Sequence, residues 1–304
     1  MSRAVVIMSG GDAATPFTTP DAACRTGLAA GNTDTALREY LLQQGHQVFT
    51  APAHNGRGVV RDPDPDSFGA FGGQPEVLAE QYTVNADGDM DLAGVHLARF
   101  VALLNSRYGV DEVDFVGHSN GGLYARSAIR TMGLLDIPVR TRSLATLGTP
   151  WMGTFPLRWA FGEIPDADLM GQEFATKFAQ GFKDRVGEGD LGLAQENTYH
   201  YLVGPGRWNE FQTGVLDDIP VHLIGGTWFE ADGGDPQSWP NDGLVSRFSA
   251  LAEGLPATVA PRRSSATFRV THSIFVADLI GQPWQTGMTW NPEVLDSVGA
   301  FLAS

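Results

Sequence analysis

Short apolar runs alternate along this chain with stretches whose apolar residues recur every three or four positions. Residues 4–8 (Ala4, Val5, Val6, Ile7 and Met8) predict a buried strand that enters a turn at Ser9-Gly10-Gly11. Over 35–44, Leu37, Leu41 and Leu42 share a helical face and Gly45 supplies a stop. Residues 47–50 predict the next strand, and 52–90, rich in Pro, Gly and Asp, a long loop with little regular structure. Residues 91–108 predict a helix with a broad apolar surface that includes Leu92, Val95, Leu97, Val101 and Leu104. Strands are expected at 113–116, 142–147 and 221–224, with a helix from the elbow described below to about 132. A short apolar stretch at 268–270 precedes His272, and 292–302 closes the chain as a helix. Such alternation predicts an α/β fold: a mostly parallel central sheet with helices on both faces.

Residues 151–216 break the alternation and carry Trp151, Phe155, Trp159, Phe161, Phe174, Phe178 and Phe182. A segment of this size between two core strands predicts an inserted cap, with 1–150 and 217–304 forming the core. Trp151, Phe155 and Trp159 are candidates to line a substrate pocket; the alternative for each is packing inside the cap.

Composition narrows the picture. With 304 residues and 42% hydrophobic content the chain can bury one sizeable core, with or without a cap. Its net charge of −15 would repel a phosphate backbone or an anionic membrane surface, so nucleic-acid binding is a poor reading and uncharged substrates are favoured. Cys24 is the single cysteine, which excludes an intrachain disulfide and a Cys-based metal site. No run reaches the roughly 18 apolar residues needed to span a bilayer, and the N-terminus lacks a signal-peptide pattern. The expectation is a cytoplasmic protein; a secreted one with a processed start is the alternative. The sequence sets no oligomeric state. No G-x-G-x-x-G leads from a strand into a helix, so dehydrogenase chemistry fails and no cofactor is expected.

The chemistry centres on Gly117-His118-Ser119-Asn120-Gly121, a G-x-S-x-G pattern. The pattern alone is weak, but it follows an apolar strand and opens a helix. That context predicts a nucleophile elbow, with Ser119 projecting above the sheet edge at a helix N-terminus that favours a developing oxyanion. His118 is expected to pack beside the elbow, since neighbouring residues on such a turn point apart. On this architecture the acid and then the base follow the serine in the chain. His272 is the best-placed base: His222 lies inside a strand pattern and His200 among cap aromatics. The candidates for the acid are Asp232, Asp235 and Asp242; Asp242 lies in the turn signal Pro240-Asn241-Asp242-Gly243, and Asp232 is its rival.

Four blocks resemble the α/β-hydrolase superfamily, in particular the bacterial true lipases of the Pseudomonas and Burkholderia type. They are Val116 to Gly122, Gly148-Thr149-Pro150-Trp151-Met152-Gly153-Thr154, Asn241-Asp242-Gly243-Leu244-Val245-Ser246, and the segment that starts at His272. The resemblance implies an α/β-hydrolase fold, a Ser119–His272–Asp242 triad, and oxyanion donors from the backbone amides of Gly11 and Asn120. It departs from that family in three ways. Ser9-Gly10-Gly11 stands where the family has His-Gly, Ile274 stands where it has a calcium-binding aspartate, and one cysteine cannot form its disulfide. No structural calcium is therefore expected. Asp87, Asp89 and Asp91 read instead as N-terminal charge on the following helix. The implied activity is hydrolysis of a small-molecule ester or lactone with a hydrophobic part. The alternatives are an acyltransferase using the same triad and a non-catalytic hydrolase-like binding protein.

Overall fold

The computed structural model describes residues 2–22, 33–61, 75–189 and 195–304; Cys24 and parts of the 52–90 and 151–216 stretches lie outside them. Eight strands are present among these residues: β1 (Ser2–Met8), β2 (Val48–Thr50), β3 (Ala53–His54), β4 (Val84–Asn85), β5 (Val110–His118), β6 (Arg140–Leu147), β7 (Val221–Gly226) and β8 (Arg263–Phe268). Six form one parallel sheet in the order β2-β1-β5-β6-β7-β8. The helices are α1 (Thr35–Gln43), α2 (Met90–Tyr108), α3 (Gly121–Leu134), α4 (Phe155–Ala160), α5 (Glu173–Gly187), α6 (Tyr199–Leu202), α7 (Trp208–Phe211), α8 (Arg247–Ala250), α9 (Ile274–Leu279) and α10 (Pro292–Ala303).

The sheet has two cores because alternate residues of a strand face opposite sides. Ala4, Val6 and Met8 of β1 join α2 and α3 residues such as Leu97, Val101, Leu123 and Ala128. Val5 and Ile7 join Leu37 and Leu41 of α1 with Val294, Leu295 and Val298 of α10 on the other side. Both faces are thus covered, as a parallel sheet requires.

The strands run longer than their apolar cores. β5 begins at Val110 and carries Asp114, which is buried and accepts from Arg3 Nε, Arg142 Nε at 3.0 Å and the Ser143 hydroxyl. Arg3 and Arg142 also donate to the carbonyl of Leu302, which pins α10 to the amino-terminal end of the sheet. β8 was not expected over its full length, because Arg-Ser-Ser-Ala-Thr-Phe shows no apolar alternation. As an edge strand it leaves several side chains exposed and needs none. The long loop expected over 52–90 contains β3 and β4, which pair with each other. At its end Asp89 caps α2, its side chain accepting from the Leu92 amide at 2.7 Å.

The sheet order fixes where a site can form. β1 continues through α1 to β2 on one side, whereas β5 continues through α3 to β6 on the other. The carboxyl ends of β1 and β5 therefore flank a switch in winding direction, where the connecting loops part and leave a crevice.

Candidate active site

Ser119 sits at that switch, one residue past β5. Its φ of 55° lies in the left-handed region, which non-glycine residues rarely adopt. The turn is held open at cost by tight packing on both sides. The Ser119 amide donates to the Leu147 carbonyl at 2.8 Å, and α3 begins two residues later. At Gly121 a Cβ would lie 2.1 Å from the Met8 carbonyl oxygen, so only glycine lets α3 start against β1.

Asp242 and His272 come together although 30 residues separate them. His272 Nδ1 and Asp242 Oδ2 are 2.8 Å apart, both groups buried. The His272 amide donates to the Asp242 carbonyl at 2.8 Å, which locks the two backbones. Asp242 Oδ1 accepts from the amides of Leu244 (3.0 Å) and Val245 (2.7 Å). A carboxylate only accepts, so in this pairing Nδ1 of His272 carries the proton and Nε2 keeps its lone pair. Gly148, at the end of β6, has φ +58°, and a Cβ there would lie 3.0 Å from Asp242 Oδ2 and 3.1 Å from His272 Nδ1.

His118 does pack beside the elbow, but it also reaches further than expected. Its Nε2 lies 2.7 Å from the carbonyl oxygen of His272, to which it donates, and the two rings are 4.9 Å apart. Burial pushes its pKa down to about 3, with the neighbouring His272 adding to the effect. His118 is thus a neutral donor that links the residue before Ser119 to the backbone of His272. A polar residue ending a buried strand is the signal that could have marked it.

The loop after β1 faces the elbow. A Cβ at Gly10 would lie 2.4 Å from Ser119 Cβ, so this residue must lack a side chain. Gly11 and Asn120 both line an open cleft of about 440 Å³. Leu157, Phe182, Arg185 and Val186 supply another wall, all from the segment between β6 and β7.

The aromatic candidates fall elsewhere. Trp151 is fully buried in the main core, with its Nε1 donating to Thr146 Oγ1 at 3.2 Å and the Arg126 guanidinium 3.9 Å over its ring. Phe155 and Trp159 are buried in a separate cluster with Ile164, Leu169, Ala175, Ala179 and Trp239. None of the three is among the residues lining the cleft. Large aromatic rings gain most from full burial, and here they form the core beneath the wall, not its surface. Asp232 is exposed in a turn, His200 is exposed beside Arg207, and His222 is held between Ser264 and Ser297. Asp242 is therefore the carboxylate that meets His272.

The chain has the α/β-hydrolase fold. Its residues 76–159, which carry α2, β5, the elbow, α3 and β6, match the family model described as "Putative serine esterase (DUF676)". Among solved structures it is similar to the lipase BlEst2 of Bacillus licheniformis in its propeptide form. That likeness has 16% identity and a TM-score of 0.51, over 89% of this chain and 46% of that one. The chain thus spans less than half the length of that relative. It is also similar to a gene product of Listeria innocua, with 18% identity and a TM-score of 0.51 over 99% of this chain and 94% of that one. These likenesses establish the fold. No curated protein matches the chain in sequence.

Proposed function

We propose that this chain is a carboxylic ester hydrolase that works through Ser119, His272 and Asp242. The observation that carries the reading is Ser119 on its left-handed turn at the same sheet edge as the bonded Asp242–His272 pair. The partial family match over the elbow supports it. Ser119 Oγ attacks the ester carbonyl and its proton passes to His272 Nε2. Asp242 holds the imidazole in the tautomer that can accept it and stabilises the resulting cation. The amides of Gly11 and Asn120 bind the tetrahedral oxyanion, a contribution of about 3 kcal/mol for each donor. Collapse returns the proton to the departing alcohol and leaves an acyl-enzyme, which water activated by His272 cleaves to the acid.

The segment 151–216 acts as the cap. Leu157, Phe182 and Val186 give the cleft an apolar wall, which suits an ester or lactone with a hydrophobic part. The test is a panel of p-nitrophenyl esters of increasing chain length, with Ser119→Ala alongside and a fluorophosphonate label. Turnover that disappears in Ser119→Ala, with label on Ser119, is the expected result. If the wild-type protein hydrolyses no ester and takes no label at Ser119, the reading is wrong. Transfer of the acyl group to an added alcohol in preference to water would replace hydrolysis by acyl transfer.

A further inference from the structure

Ser9 leaves β1 and leads straight into Gly10 and Gly11. Its side chain is buried, with Oγ hydrogen-bonded to Asp34 Oδ2 and 2.7 Å from Thr15 Oγ1. The pairing fixes the direction of each bond. An ionised carboxylate only accepts, so Ser9 donates to Asp34 and Thr15 donates to Ser9.

Both partners are anchored from outside the loop. Thr15 exchanges backbone hydrogen bonds with Ala53 of β3, at 2.8 and 2.9 Å. Asp34 immediately precedes α1, and its carbonyl accepts from the Arg38 amide at 2.8 Å. Arg38 in turn donates from Nε to Thr18 Oγ1 at 3.0 Å and from Nη2 to the Thr19 carbonyl at 2.6 Å. The far side of the loop meets the elbow, where Gly10 has room for no Cβ beside Ser119. Ser9 to Gly11 is thus strung between the elbow and a buried polar frame.

Among the described residues the Asp34 side chain engages no other partner. Its side chain makes no capping bond to α1, and Oδ1 has no hydrogen-bond partner among the described residues. Burial pushes its pKa up to about 6 against the opposing effect of Ser9. A carboxylate in this position costs stability, and the group it engages is Ser9.

We infer that Ser9 and Asp34 are positioning residues that hold the Gly11 amide at the oxyanion. This inference rests on the ester-hydrolase reading above. A donor that drifts by about 1 Å loses its bond to the transition state much more than any contact with bound substrate, so the effect belongs to kcat.

The test compares wild type, Ser9→Ala and Asp34→Asn for kcat and KM on p-nitrophenyl butyrate. It adds inhibition by an alkyl boronic acid, whose serine adduct is a tetrahedral anion, and the thermal midpoint at about pH 8, where Asp34 is ionised. In Ser9→Ala, kcat is expected to fall about 10- to 100-fold, with KM within about threefold and boronate affinity falling alongside kcat. Asp34→Asn keeps an acceptor for Ser9 without the charge. Its kcat loss should be smaller, and its thermal midpoint at or above that of wild type. Unchanged kcat in a folded Ser9→Ala protein would overturn the inference. So would parallel loss of kcat, KM and thermal midpoint in both variants, the mark of a purely structural role. If Ser9→Ala does not fold, Asp34→Asn decides: wild-type kcat and boronate affinity there overturn the inference. A wild-type protein with no esterase activity and no fluorophosphonate label overturns the hydrolase reading itself, and is recognisable before any variant is made.

Discussion

His118 shows how one buried side chain ties a site to its pH range. It is neutral when folded, with its pKa near 3, whereas an imidazole exposed by unfolding titrates near 6.5. Between these values the unfolded chain binds a proton that the folded chain does not. The contribution is fully present above about pH 6.5 and is lost as pH falls, by at most about 1.4 kcal/mol per unit. Asp34 and Glu196 act in the opposite sense. Burial raises them to about 6 and about 7, so the folded chain keeps protons that unfolded carboxylates release as pH rises from about 4. Subtracting a His118→Gln variant, which keeps a donor for the His272 carbonyl, isolates the histidine. Denaturant unfolding across pH 4 to 7 (the range of about one His and one Glu titration) should show the variant's relative stability improving steadily toward acid. A constant offset between the two proteins would contradict the assignment.

At this same scale the sequence discloses some residues and hides others for identifiable reasons. Ser119, Asp242 and His272 are legible because each sits in a local pattern: an elbow, a turn and a loop after a late apolar stretch. Gly10 and His118 are not, because their importance lies in contacts with residues over a hundred positions away. Ser9 shows only as a departure from a lipase pattern; Asp34, its partner, carries no motif at all.

Helix α5 illustrates the scale of elements. Phe174, Phe178 and Phe182 recur every four residues, so they form one stripe along the helix. Phe174 stacks on Phe229 at 4.6 Å between ring centroids and on Phe178 at 5.3 Å, and Phe182 meets Phe178 edge-on at 5.4 Å. The buried alanines Ala175 and Ala179 seat the helix on the Phe155–Trp159 cluster. Its last turns, at Phe182 and Val186, reach the cleft. Trp151, Phe155 and Trp159 are buried and do not line this cleft, which fits the alternative of packing inside the cap or core. Ring size shows that a residue is worth burying, not which side of a wall it occupies. Val186→Trp should fill the cleft from this helix and shorten the preferred acyl chain. Relative to the acetate ester, kcat/KM for a long-chain ester should fall about tenfold or more, with thermal stability little changed because Val186 is only half-buried. An unaltered chain-length profile would place the acyl group elsewhere.

For the whole molecule, the two ends of the sheet divide the work. The carboxyl ends of β1, β5 and β6 carry the loop of Gly10 and Gly11, Ser119 and Gly148, while the amino ends carry the Asp114 cluster with Arg3, Arg142 and Ser143. Strand order at this scale was only partly legible. Apolar runs announce β1 and the middle of β5, but polar β8 and the pairing of β3 with β4 depend on tertiary context.

The bond from Arg3 Nη2 to the Leu302 carbonyl, 2.6 Å long, has a consequence for chain connectivity. It sets residues at opposite ends of the 304-residue sequence within one side-chain length of each other, on the face away from Ser119. A Gly/Ser linker of about six residues can bridge such a gap. The chain can then be reopened in the turn after α3, where Leu134 and Leu135 are 71% and 58% exposed. Such a circular permutant should fold and keep wild-type kcat, since every loop at the carboxyl edge stays whole. Circular dichroism and esterase assays would check this. A permutant that folds yet loses activity would mean that the continuity from α3 into β6 itself holds the elbow in place.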